Sequence, residues 1–109
     1  MSPLIARLWE GRTRASDADR YLESLRRTGL ADYERTPGNQ GVLAFRRLEA
    51  SRADFLLVSF WESESAIRAF AGDPIERARF YPEDDAFLVR RGETVRHLEL
   101  VHPPALRLR

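Results

Sequence analysis

The 109 residues suit a single domain, and at that length folding buries a modest fraction of surface, so pairing with a second copy would add materially to stability. Charge is plentiful but balanced, 18 basic against 17 acidic residues, which removes the electrostatic case for nucleic acid or an anionic membrane as partner. No apolar run approaches the ~20 residues that span a bilayer, Arg7 stands where a signal peptide has its apolar core, and there is no cysteine, so a cytoplasmic protein is expected.

The alternation from Leu4 to Gly11 predicts a first strand, with Ile5, Arg7 and Trp9 on one face and Leu4, Ala6 and Leu8 on the other. Ser16, with Asp19 three residues on, can cap a first helix whose apolar stripe is Ala18, Tyr21, Leu22 and Leu25, and Gly29 is placed to end it. The turn signal Thr36-Pro37-Gly38-Asn39-Gln40-Gly41 precedes a second strand from about Val42 to Glu49, and a polar connection leads to a third from Phe55 to Trp61, making an antiparallel hairpin. Ser63 caps a second helix that carries Ala66, Ile67 and Phe70 on one side and stops at Gly72. Asp73, Pro74 and Glu76 spell a capping box for a third, short helix ended by Tyr81-Pro82. Glu83 to Arg91 reads as a charged connection anchored by Phe87 and Leu88, and Glu93 to Val101 as the last strand. The domain thus spans 1–101, and the tail from His102 to Arg109, with its two prolines, is expected to lie on a partner or on the surface.

Strand, helix, strand, strand, helix, strand is the ferredoxin-like split βαβ order, an α+β fold with a four-stranded antiparallel sheet and helices on one face. The uniformly apolar sets, Leu4, Ala6 and Leu8 with Leu56, Val58 and Phe60 and with Leu98 and Leu100, are assigned to the helix side. The other face then carries Trp9, Phe55, Leu57, Trp61 and Val95 among Arg7, Ser59, His97 and Glu99. That is too much apolar area for water, so a homodimer covering it is expected.

All 18 of the Lys+Arg residues are arginine, which excludes lysine Schiff-base chemistry and lysine general bases. If the first and last strands pair, Arg7 meets His97 or Glu99 across the ladder, and a histidine tunable near neutrality beside a carboxylate and an arginine can remove a phenolic proton or hold an anionic oxygen. The same three groups equally suit an ion pair that fixes dimer register. A second group, Tyr21, Tyr33, Arg68, Arg79 and Tyr81, could frame a flat aromatic ligand on the helix side. Glu83-Asp84-Asp85 reads as solvated surface, and His97 and His102 point to opposite faces of an extended chain, so no metal site is expected.

Three stretches carry a family resemblance: Ala6-Arg7-Leu8-Trp9-Glu10-Gly11, Pro37-Gly38-Asn39-Gln40-Gly41, and Ser59-Phe60-Trp61-Glu62-Ser63 with Ala66-Ile67-Arg68-Ala69-Phe70. From Leu4 to Val101 the chain resembles the antibiotic biosynthesis monooxygenase family. The resemblance implies a dimeric α+β barrel and a monooxygenase that acts on an aromatic or polycyclic small molecule without metal or flavin, or alternatively a non-catalytic binding protein of the same fold. It also implies no cofactor, because the asparagine, tryptophan and histidine of the family's haem-degrading members correspond to Ala6, Phe70 and Phe80. Of the pair used by the aromatic oxygenases, Trp61 matches the tryptophan and Leu57 replaces the asparagine. The candidate catalytic residues are therefore Arg7, His97 and Glu99, with Trp9, Ser59, Trp61, Tyr33 and Tyr81 as pocket candidates.

Overall fold

The computed structural model describes residues 4–102. β1 (Ile5–Arg14) passes through a 3-10 turn (Ala15–Asp17) into α1 (Ala18–Arg27) and α2 (Gly29–Arg35); β2 (Asn39–Leu48), β3 (Arg52–Trp61) and α3 (Glu64–Ala71) follow, then α4 (Asp84–Phe87), β4 (Leu88–Arg91) and β5 (Arg96–Glu99). Every pairing is antiparallel, in the order β2-β3-β1-β4, with β5 also against β1. This is the expected ferredoxin-like order with its fourth position shared: β4 pairs with Gly11, Arg12 and Thr13, and β5 with Ile5 to Leu8. The chain changes course at Gly92, whose N–H donates to the Glu10 carbonyl at 2.9 Å. A Cβ there would stand 2.7 Å from that oxygen, so only glycine allows so close an approach.

Local signals succeed where nothing else competes for the backbone. Ser63 Oγ accepts from the Ala66 N–H at 3.1 Å to start α3, and Gly72, at φ 80°, ends it. The first helical region departs from expectation: no side chain caps α1, and Gly29 opens α2 instead of closing α1. Thr28 makes the break, its N–H and its hydroxyl both donating to the Ser24 carbonyl, at 3.0 and 2.8 Å.

No helix forms over residues 74–80, and the Asp73–Pro74 peptide is cis. Tertiary partners take the backbone groups that the capping box would have committed to a helix. The Ala78 N–H donates to Glu93 O at 2.9 Å, Glu76 O accepts from the Val95 N–H at 2.8 Å, and the carbonyls of Ile75 and Arg77 accept from Arg7. The stretch from Glu83 to Arg91, expected as a connection, supplies α4 and β4. Of the tail, His102 is exposed and 103–109 lie outside the described residues.

The helices cover the sheet face opposite to the one expected. Trp9, Phe55, Leu57 and Trp61 are buried against Tyr21 and Leu25 of α1, Tyr33 of α2, and Ile67 and Phe70 of α3. Tyr21 meets Phe55 edge-on at 4.8 Å, and Tyr33 stacks on Phe70 at 4.5 Å. Leu8, Leu56, Val58 and Phe60 are half-buried on the uncovered face, beside Phe45 and Leu98, each 50% exposed. Both faces are apolar, so apolarity does not choose between them; ring volume does. The polar atoms among the rings are largely accommodated inside, as when Trp9 Nε1 donates to Gly92 O and Trp61 Nε1 to Ser59 Oγ, at 2.9 and 2.8 Å. The apolar face that a partner would cover is consequently that of Leu8 and Phe60, not that of Trp9 and Trp61. No helix among the described residues is long and apolar enough to cross a membrane.

Candidate functional site

Between sheet and helices lies a cavity of about 20 Å³, lined by Arg7 and Trp9 of β1, Tyr21 of α1, Tyr33 of α2, Phe70 of α3, and Arg79, Tyr81 and Asp84 of the segment after α3. The two candidate groups that the sequence places on opposite sides of the sheet therefore meet at one site. Gly11 shapes its wall: a Cβ there would fall 2.3 Å from the Trp9 ring, so the missing side chain lets the indole lie down along β1. Ser59 and Trp61 lie beneath, bonded to each other, with Trp61 packed against Tyr33 at 6.0 Å.

Arg7 is 1% exposed. Its Nη1 donates to Ile75 O at 2.5 Å and to His97 Nε2 at 2.9 Å, and its Nη2 to Arg77 O at 3.1 Å; its Nε is buried without a partner. A guanidinium has only donors, so His97 Nε2 is the acceptor and the ring proton is on Nδ1. Burial and then the Arg7 charge lower the His97 pKa below its usual 6.5. Glu99 shares the strand with His97 but is exposed, and it joins neither residue. The cluster that the sequence assigns to Arg7, His97 and Glu99 is thus a pair, and it faces the helices.

The lowered His97 pKa has a measurable consequence. The unfolded chain takes up a proton at His97 as pH falls through about 6.5 while the folded chain resists, so stability should be level above 6.5 and decline below it until the folded pKa is reached. Urea unfolding between about pH 7 and about pH 5 should show this slope, and His97→Gln, which keeps an acceptor for Arg7, should flatten it.

The segment over the cavity is tied down through α2. Tyr81 donates its hydroxyl to Asp32 Oδ2 at 2.7 Å, and Arg79 Nη2 lies 3.3 Å from the same oxygen. The Tyr81 bond and then the bond from Arg35 hold the Asp32 carboxyl below its ordinary range. Arg79 also lies over the rings of Phe70 and Tyr81, at 4.9 and 5.2 Å. Asp84, assigned to solvated surface on its acidic neighbours, is 4% exposed, and its Oδ2 accepts from the Tyr81 N–H at 2.8 Å. Burial raises its pKa. Its legible signal is spacing: the Tyr81-x-x-Asp84 return bond resembles half of a capping box. Arg68, the remaining candidate on the helix side, is exposed and 3.8 Å from Asp73.

A wider groove of about 650 Å³ lies by Arg12, Arg47, Asp54 and Arg90. It is open, and of its two carboxylates Asp54 is paired with Arg12 at 2.6 Å and Glu10 is exposed, so it offers no buried reactive group. The cavity residues do not fit a haem. Phe70 and Phe80 have no donor atom, Ala6 belongs to the uncovered face, and the Nε2 of His97 is taken by Arg7.

No family model matches this sequence, and no curated protein does. Among solved structures, a Bacillus cereus protein provisionally named an antibiotic biosynthesis monooxygenase matches with a TM-score of 0.61 over 94% of this chain and 99% of its own, at 13% identity. Identity that low speaks to architecture alone. The chain has the α+β fold of that antibiotic biosynthesis monooxygenase-like protein.

Proposed function

We propose that the chain is a cofactor-independent monooxygenase that admits a flat, electron-rich aromatic between helices and sheet and oxidises it with O2, working as a homodimer. The observation that carries this reading is a cavity walled by five aromatic residues, Trp9, Tyr21, Tyr33, Phe70 and Tyr81, with the buried carboxyl of Asp84 among them. Asp84 takes a proton from a phenol or from a CH2 held between rings, and the resulting anion is electron-rich enough to reduce O2. The CH2, or in a phenol a ring C–H conjugated with the oxygen, becomes a carbonyl (the phenol C–O becoming the other carbonyl of a quinone), and the second oxygen atom leaves as water, so the aromatic supplies all four electrons. Of the sequence candidates, Trp9, Tyr33 and Tyr81 act as walls, Ser59 and Trp61 as the layer that fixes Tyr33, and His97 holds Arg7.

A cavity of about 20 Å³ holds no more than a water, whereas ligand sites run to roughly 300 Å³ and above. Admission therefore requires the cavity to widen, and the Tyr81–Asp32 bond is one tie that opposes this. That small volume favours the second reading, a dimeric binding protein without turnover. Oxygen uptake with hydroxynaphthalenes and anthrones in chelated, flavin-free buffer separates the two. One O2 consumed per carbonyl product supports the oxygenase, and tight binding with no uptake supports the binding protein. The uncovered face is the one proposed for the second copy, because Leu8, Leu56, Val58, Phe60 and Leu98 form a continuous apolar surface there on three adjacent strands.

A further inference from the structure

We infer that Arg7 is the anchor for an oxyanion on the cavity's ligand, so that the ligand is an aromatic carboxylate, phenolate or enolate rather than a neutral arene; this rests on the reading of the cavity as an aromatic site. Three observations support it. Arg7 lines the cavity and is almost wholly buried, yet among the described residues it forms no ion pair. Its partners are two carbonyls and a neutral imidazole, which orient a guanidinium without neutralising it. Its Nε–H makes no hydrogen bond, three of the five N–H donors of a guanidinium are engaged, and the Tyr33 hydroxyl beside it is neutral, so a donor remains for a ligand.

Buried charges are ordinarily paired, because desolvating a cation without a counter-charge is costly. Here burial lowers the Arg7 pKa, the neighbouring Tyr33 hydroxyl opposes that without carrying a charge, and the influence of the exposed carboxylate Glu76 is smaller still. A ligand oxyanion supplies the missing negative charge, and the planar fork of a guanidinium suits it geometrically. The surrounding rings would lie along the flat part of the same molecule. A purely structural Arg7, kept only to bind the carbonyls of Ile75 and Arg77, would not discriminate between a charged ligand and its neutral isostere.

Calorimetric titration with 2-naphthoate and with 2-naphthamide, which share shape and differ in charge, tests this on the unaltered protein. The carboxylate should bind at least about tenfold more tightly, as a charge-assisted hydrogen bond does over a neutral one. Arg7→Met should erase that preference, and Arg47→Ala, on the open groove, should leave it intact. Near-ultraviolet circular dichroism establishes whether the Arg7 variant is folded; where it is not, the comparison on the unaltered protein decides. Equal affinities overturn the role of Arg7 and leave the aromatic cavity standing. A preference that survives Arg7→Met overturns it in favour of surface arginines. No binding of either probe overturns both readings.

Discussion

Trp61→Ala should cost about 3–5 kcal/mol of folding stability, the usual range for a large buried ring, and should do so whatever the state of association. The side chain is 0% exposed, touches Tyr33 and Phe70 at ring distances of 6.0 and 5.5 Å, and satisfies Ser59 through its indole N–H. Its neighbour Phe60 points the other way, so Phe60→Asp should leave a folded chain with stability changed by about 1 kcal/mol or less while removing the proposed self-association. Urea unfolding and sedimentation on the two variants separate these effects. If instead the Trp61 variant dissociates at unchanged stability, the ring-bearing face is the interface and the assignment of faces here is wrong.

Asp84→Asn should lower turnover of an aromatic substrate by about 10²–10⁴-fold, the span of general acid–base catalysis, without weakening the fold. Burial raises the Asp84 pKa above the ordinary 3.8, against the opposing Tyr81 N–H and the Arg91 charge. A carboxyl raised in this way favours the folded state below 3.8, and that contribution is lost as pH rises through the folded pKa. At neutral pH its ionised form therefore works against folding. Asparagine retains an oxygen for the Tyr81 N–H, now met at 2.8 Å, and removes the charge, so thermal stability near pH 7 should be equal or higher. Undiminished turnover in this variant would remove Asp84 from the proton transfer.

The sequence reveals strand parity well. Arg7 and His97 are cross-strand partners in the β1–β5 ladder, as alternation and topology require, and Ser63 and Gly72 bound α3 as their chemistry dictates. What it hides is which parity the helices take, because Leu8 and Phe60 on one side look as buriable as Trp9 and Trp61 on the other. The choice is made by rings on α1, α2 and α3 that reach the sheet only in three dimensions. The same holds for the site. Tyr33 and Tyr81 are legible as aromatic candidates, but Asp84 is masked by Glu83 and Asp85, and its burial follows from a loop whose backbone bonds go to Arg7, Glu93 and Val95. Pro74 announces a helix that those longer-range bonds prevent.

The sheet's two borders are defended unequally. Along β1 the outer border is divided between two strands of four residues each, too short and too charged, with Arg90, Arg91, Arg96 and Glu99, to template another chain. The opposite border is β2, ten residues long and paired on one side alone among the described strands, with Phe45 and Leu48 50% and 57% exposed. Between those two side chains, near the end of the strand, stand Arg46, paired with Asp19 at 2.7 Å, and Arg47, 3.5 Å from Glu49. Charge on this border is therefore confined to one end of the strand, and replacing both arginines with apolar residues should make the border more prone to strand-by-strand stacking.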